Sequence, residues 1–425
     1  MADNCFALIA LPLAGTALVM VSKLFPAGIL RRAVYILGVA AALVLPWIPF
    51  MRLASFIYTS GSSIHGTIGG WSSLAGIAYK FDGLSVCIVF MGMLISLPAW
   101  IYSRSVKLDY EVFDSIYFIQ LAFLSASAIT ADLFNLFVCL EVLGITSYVL
   151  VVFSGKPAAY LASLSYLLVS AAAMLFFLVG LFFIYNCTGT LSYDAIAERL
   201  PPLAGRHGKE IAAAMVLITA SIALRVAVLP VYGWLPDAHA MAPHPVSAVL
   251  SGVLIKTPLF ILLRFLLIFS DSVLVGRAFA AAGALTALAG VVLALSQTDA
   301  KRLLAYHSIS QIGFIVCAWG LALSLGLSTG LGLALLSASY LHALYHGIFK
   351  GTLFLSVGSV ADAARSRDVY GVRNGIGHLN SGGHSGWIAA AAFAAGACSI
   401  SAIPPWSGYI SKNILTYYVD NPYYY

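Results

Sequence analysis

The sequence predicts an all-α polytopic membrane protein, and three observations carry that prediction. Of the 425 residues 61% are apolar and only 9% charged, against roughly 45–50% and about 25% in soluble domains. Mean hydropathy is +0.96. The apolar residues fall into long runs, about the 20 residues a helix needs to cross a bilayer, without the period-two alternation of barrel strands.

Twelve runs qualify, taken in chain order: 5–22, 33–50, 83–102, 113–131, 132–153, 160–185, 211–230, 246–270, 273–296, 303–324, 329–361 and 386–418. The last two are longer than one crossing, so they tilt or break. The first opens at Asp3 with no basic stretch before it and reads as a retained span rather than a signal peptide. Loops on one face would carry eleven cations: Lys23, Arg31, Arg32, Arg104, Lys107, Lys156, Lys301, Arg302, Arg365, Arg367 and Arg373. The opposite face collects six, at Arg52, Lys80, Arg199, Arg206, Lys209 and Arg277. The positive-inside rule then places both termini on the outer face of a plasma (inner) membrane.

Composition also excludes function classes. The 22 basic and 16 acidic residues are too few to solvate a soluble surface of 45.0 kDa. They form no basic cluster able to hold a phosphate backbone, so nucleic acid is not a partner. The six cysteines are far apart with no CxxC, which leaves no thiolate set for zinc or an iron–sulfur cluster. There is no P-loop and no GxGxxG after a strand-like run. No cofactor is expected in this chain.

The remaining charges lie where lipid should be. Ionisable groups inside spans cost several kcal/mol and as a rule face a cavity or partner. Glu141 is mid-span in FNLFVCLEVLGITSYVL, Arg225 ends SIALRVAVLP, and Lys256 is within SAVLSGVLIKTPLF. His342, His346 and Lys350 share one helical face by their four-residue spacing, and Lys412 follows the prolines of IPPWSGYISK. Arg264, at the tail of its span, reads as a structural cation snorkelling to the interface. The two histidines have zinc spacing but no acidic or thiol companion. Bis-histidine haem using His307 is a further alternative, which an absorbance spectrum settles. Proton transfer needs groups whose pKa can approach 7. Burial lowers a lysine and raises a carboxyl, and an opposite charge reverses either shift, so a Glu–Lys pair is a two-state element. Histidine needs little tuning.

Two proline-rich interruptions support an ion path. LPVYGWLPDAHAMAPHPVSAV holds Pro230, Gly233, Pro236, Pro243 and Pro245, and the shorter AIPPWSGYISK holds Pro404, Pro405 and Gly408. Irregular backbone at membrane depth is tolerated only where it is buried in protein or lines water. Paired breaks in two halves point to an inverted repeat around the path.

The segments ADLFNLFVCLEVLGITSYVL, PVYGWLPDAHAMAPHPVSAVLSGVLIK, QTDAKRLLAYHSISQIGF and HALYHGIFKGTLFLSVGS together resemble one family over about residues 80–415. It is the family of antiporter-like, proton-conducting membrane subunits of NADH:quinone oxidoreductase, membrane-bound hydrogenases and multisubunit Na+/H+ antiporters, nearest in wording to the antiporter D-type subunit. The resemblance implies two inverted five-helix repeats, each with a broken helix. On this sequence that gives flanking helices over 1–112, a first repeat over 113–270 and a second over 273–425, within a single membrane domain. It implies that Glu141 is the essential glutamate and Lys256 the central lysine. His342, His346 and Lys350 form a connecting relay, and Lys412 is the exit-side charge. The implied partners are other membrane subunits, the bilayer, and protons or Na+.

Two departures stand out. Arg225 replaces the lysine the family carries five residues before the first proline. Arginine cannot be deprotonated in proteins, so it is expected to serve as charge partner of Glu141 rather than as a proton carrier. The sequence also stops soon after Lys412, at DNPYYY, so the second repeat is expected to be incomplete or completed by a partner. The reading is a proton-translocating subunit of an energy-converting complex. Its rivals are a subunit of a cation/proton antiporter and a degenerate structural subunit with a half-channel broken at Arg225.

Overall fold

A computed structural model describes residues 2–67, 76–105, 110–266, 273–383 and 385–420. Lys107, the tail of the eighth run (267–270) and the terminal 421–425 lie outside the described residues. Helix dominates, and the chain divides into two compact units.

The first unit comprises residues 1–155, 163–225 and 257–268. Its helices are α1 (Ala2–Ser22), α2 (Ile29–Leu43), α3 (Trp47–Ser60), α4 (Gly83–Ser103), α5 (Tyr110–Ile129), α6 (Leu133–Val152), α7 (Pro157–Thr188), α8 (Tyr193–Arg225) and α11 (Thr257–Leu266). Only the opening residues of α7 belong to the other unit. Helix α4 starts on a capping box, in which the Asp82 carboxylate takes the Ser85 amide and the Ser85 hydroxyl takes the Asp82 amide. The Asp132 side chain caps α6 in the same position. Helix α8 has a non-helical residue at His207, and its apolar span runs from Gly205 to Arg225. A short antiparallel hairpin, β1 (Ile64–Thr67) against β2 (Ala78–Phe81), pairs Ile64 with Phe81 and Thr67 with Ala78. The helix-only expectation omitted it. It falls in the Ser/Gly-rich stretch between the second and third runs, where no apolar period existed to read.

The second unit comprises residues 156–162, 226–256 and 269–425. It holds α9 (Trp234–Met241), α10 (His244–Val249) running into a π-helical turn (Leu250–Leu254), α12 (Val273–Leu295), α13 (Ala300–Leu325), α14 (Gly330–Ala364), α15 (Gly375–Ser381), α16 (Gly386–Ile400) and α17 (Ser407–Asp420). The sequence places residues 226–256 in the first repeat, yet they pack in this unit. Ala248 of α10 is in one apolar cluster with Leu304, Phe349, Leu353 and Phe354. Helices α12 and α13 lie in close contact along Gly276, Gly283 and Gly290 on one and Gly313 and Gly320 on the other. A methyl group at Gly283 would sit 2.8 Å from the Gly313 carbonyl, the small-residue contact that lets helices in lipid pack backbone to backbone.

Among the described residues ten helices are long and apolar enough to cross a membrane, against the twelve runs read from sequence. The last two runs account for the difference. One is the continuous 35-residue α14, with two histidines and a lysine at its middle. The other is interrupted between α16 and α17 by Pro404 and Pro405. The two backbone interruptions have a common form. Ala227 and Ala402 are both left-handed, with φ of 58° and 55°, an unfavourable state for a side-chain-bearing residue. Each is followed by a proline three residues on, at Pro230 and Pro405, and by a glycine six residues on, at Gly233 and Gly408.

Candidate functional site

In the second unit the predicted residues come together. Lys256 follows the π-helical turn, in which the Ile255 amide reaches back five residues to the Leu250 carbonyl. Such a turn frees a carbonyl from the helical ladder, and the fully buried Lys256 ammonium donates to that of Ser251. The Ser251 hydroxyl meets the Ser308 hydroxyl at 2.8 Å. Ser308 in turn donates to the Leu304 carbonyl at 3.1 Å, and the same carbonyl accepts from the Lys350 ammonium at 2.7 Å. A buried lysine in the turn before α11 and another on α14 are thus tied to each other through Ser251, Ser308 and the Leu304 carbonyl.

His346 and His342 lie on α14 N-terminal to Lys350, all three fully buried. Their imidazoles are parallel, 7° apart in plane with centroids at 6.2 Å. His342 is engaged at both nitrogens, by Ser411 at 2.9 Å and Gln311 at 3.1 Å. His346 has no hydrogen-bond partner at either nitrogen. A buried polar group without a protein partner is ordinarily satisfied by water. Gln311 also lines a cavity of about 590 Å³ shared by His307, Ser310, Phe314, Ile400 and Lys412. The Lys412 ammonium donates to the Ile400 carbonyl at 2.8 Å, so it is held by the break that precedes α17.

In the first unit Glu141 is half-buried on α6, with one carboxylate oxygen buried and unpartnered. Arg225 was expected as its charge partner. The guanidinium donates instead to the Leu140 carbonyl at 3.0 Å, to the Ser170 hydroxyl at 2.9 Å and to the Met174 sulfur at 3.1 Å. No Glu141–Arg225 ion pair is found among the described residues. The positive charge reaches the right turn of α6 but is tied to the backbone beside Glu141. Five fixed donors in a rigid fork find closer acceptors there.

Three features escaped the sequence reading. Lys301, counted as a loop cation, is 1% exposed. Its ammonium donates to the Ala242 carbonyl, the C-cap of α9, where the helix dipole favours a cation. Arg367 donates to Ala240 of the same helix end at 2.5 Å, and Arg302 pairs with Asp237 at 2.7 Å, so the WLPDAH and QTDAKR segments meet through charge. The run Asp299–Ala–Lys–Arg302 was the available signal. His239 on α9 is buried, bonded at Nδ1 to the Leu235 carbonyl and unpartnered at Nε2, and interacts with the charges of Lys256, Lys301 and Lys350. Asp114, inside the fourth run, is fully buried but completely satisfied by Arg104 at 2.7 Å, Tyr35 at 2.6 Å and Trp100 at 3.0 Å.

Arg264 does not snorkel. It is 9% exposed and pairs with Asp82 at 2.6 Å while donating to Ser85 at 2.7 Å. Burial alone would raise the Asp82 carboxyl. The Arg264 guanidinium and the Ser85 amide outweigh that and hold it below the usual carboxylate range.

Helices of this length and hydropathy define a multi-pass membrane protein. Residues 130–421 match the family described as "NADH:quinone oxidoreductase/Mrp antiporter, TM", and the chain belongs to that family. It is 32% identical over 361 residues to the N-type subunit of NADH-quinone oxidoreductase from Desulforudis audaxviator, covering 81% of this chain and 67% of that one. It is 31% identical over 365 residues to the D-type subunit of the Na(+)/H(+) antiporter from Alkalihalophilus pseudofirmus, covering 85% and 70%. A chain of the Mrp complex from Dietzia superposes with a TM-score of 0.82 at 25% identity, over 99% of this chain and 75% of that one. A chain of the archaeal membrane-bound sulfane sulfur reductase has the same fold, with a TM-score of 0.83 at 24% identity over 98% and 81%.

Proposed function

We propose that this chain is a proton-translocating subunit of a multisubunit, membrane-bound energy-converting complex, acting without a redox centre of its own. The observation that carries the proposal is the buried series in the second unit. Lys256 and Lys350 are tied together through Ser251, Ser308 and the Leu304 carbonyl, His346 and His342 stack beside Lys350, and His342 reaches the Lys412 cavity through Gln311. Lysine and histidine are groups that give up a proton when desolvated and regain it when water or an opposite charge arrives. Water at His346 would complete the row. His239 and Lys301 extend it toward α9. Glu141 is the acid of the first unit.

On this reading the protein lies in a plasma or inner membrane with both termini on the outer face, and its partners are other membrane subunits. The similarity to the antiporter D-type subunit favours a second reading, in which the complex exchanges Na+ for H+. Co-purifying subunits discriminate between the two. Quinone or hydrogenase components indicate a redox-driven pump, and only small membrane proteins indicate an antiporter. The role itself is tested by Glu141→Gln and Lys256→Ala in the reconstituted complex. Both are expected to abolish coupled proton transport and leave assembly intact, whereas Lys156→Ala, at an exposed loop, changes neither. Wild-type transport by assembled Glu141→Gln complex would refute the role.

A further inference from the structure

Arg225 poses a chemical problem in the first unit, because it occupies a place where a proton carrier is wanted and cannot release a proton. Besides the Met174 sulfur, the polar side chains packed around it are hydroxyls. Ser170 accepts from the guanidinium at 2.9 Å, and the Tyr148 hydroxyl interacts with both Ser170 and Arg225. Gly144 makes room for this contact. A Cβ there would lie 2.6 Å from the Tyr148 hydroxyl and 2.9 Å from the Arg225 guanidinium. Tyr148 leans toward the N-terminal end of α6, as helical aromatic side chains do. Its hydroxyl is thereby carried to the level of Gly144, one turn from Glu141, whose charge it also feels. The surroundings are buried and polar: Ser147 donates to the Leu143 carbonyl at 2.6 Å and accepts from Gln120 at 3.0 Å. Tyr166 stands edge-on to Tyr148 at 4.7 Å and interacts with Ser147.

We propose that the Tyr148 hydroxyl, supported by Ser170, carries protons to and from Glu141 in place of a titrating side chain, with Arg225 as the fixed charge that orients both hydroxyls. The inference rests on the proton-path reading above. A hydroxyl both donates and accepts. In each transfer the Tyr148 oxygen accepts a proton from the Ser170 hydroxyl, which takes one from a water in turn, while the Tyr148 O–H proton passes, directly or through one water, to the Glu141 carboxylate. Every transfer reverses when Glu141 releases its proton. The phenol is regenerated and Arg225 keeps all its protons.

The test is proton uptake by liposomes containing the assembled complex, with the assembled amount measured for each variant. Tyr148→Phe removes only the hydroxyl and is expected to slow uptake by about tenfold or more, below the roughly hundredfold or more of a fully lost proton-transfer group because a water can partly stand in for it. Adding Arg225→Lys to Tyr148→Phe supplies a titrating group beside Glu141 and is expected to recover most of the rate. A merely structural tyrosine would show no such rescue, and failure of the rescue overturns the inference. If Tyr148→Phe assembles poorly, Ser170→Ala is read instead, with a loss of about threefold or more expected and a wild-type rate overturning the inference. Tyr148→Phe transporting normally while Glu141→Gln is inactive refutes the hydroxyl step alone. Both transporting normally refutes the proton path beneath it.

Discussion

In the first unit two buried charges are each held by an opposite charge, Asp114 by Arg104 with Tyr35 and Trp100, and Arg264 by Asp82, while Arg225, on a carbonyl, a hydroxyl and a sulfur, is fixed because a guanidinium keeps its protons. In the second, Lys256, Lys301 and Lys350 rest on main-chain carbonyls, and His346 has no hydrogen-bond partner. A cation bound to a carboxylate loses a counter-charge when it leaves. An ammonium bound to a carbonyl loses one hydrogen bond, worth about 1.5–3 kcal/mol to a charged donor, and a neutral amine can remain in place. On the proposed function, the difference separates charges placed to stay from charges placed to change. Glu141, with its unpartnered oxygen, is the group of the first unit that belongs with the second kind.

The contrast predicts unequal responses to substitution. Along α14 the largest is expected at Lys350. Replacing it by alanine removes the base next to His346 and frees the Leu304 carbonyl, and proton flux per assembled complex should fall about a hundredfold or more. A flux within a few-fold of wild type would place Lys350 among the fixed charges. His342→Ala should cost less, about tenfold, because Gln311 and Ser411 remain to hold a water in the vacated space. If that substitution instead removed a haem absorbance or a metal from the purified protein, the histidines would be ligands and the comparison would collapse.

The smallest effect on flux is expected at Asp82→Asn, which touches a fixed pair only. Stability should fall by about 3 kcal/mol, since Arg264 is left buried without its counter-charge, while flux per assembled complex stays unchanged. The pH dependence has a definite sign. Because the folded Asp82 carboxyl lies below its ordinary value, its stabilisation is complete above an unfolded pKa of about 4. It is lost as pH falls through the folded pKa. Thermal melts of wild type should therefore approach those of Asp82→Asn in acid. Parallel pH profiles would show that the pair contributes nothing.

Much of this is legible in the sequence alone. Long apolar runs give the helices because lipid leaves a backbone few alternatives. A charge inside such a run is conspicuous, so Glu141, Lys256, His342, His346, Lys350 and Lys412 can be named. Partners cannot. Charge alone assigns Arg225 to Glu141, whereas its reach to Leu140, Ser170 and Met174 depends on how α6, α7 and α8 pack. Lys301 looks exposed because it lies at a helix start beside Arg302, and only the end of α9 arriving over it makes it buried. Asp82 and Arg264 are 182 positions apart, and no local pattern links residues so distant. The π-helical turn before Lys256 is equally silent, since LSGVL reads as ordinary helix.

The central claim is that the cation of the second unit must titrate and the cation of the first need not. It is tested most directly by exchanging the two chemistries in the reconstituted complex, with proton flux measured for Lys256→Arg beside Arg225→Lys at matched assembly. Lys256→Arg keeps the positive charge but cannot release a proton, and flux is expected to disappear, while Arg225→Lys transports at the wild-type rate or faster. Wild-type flux through Lys256→Arg would contradict the claim, because a permanently charged residue would then suffice at the centre of the proposed path.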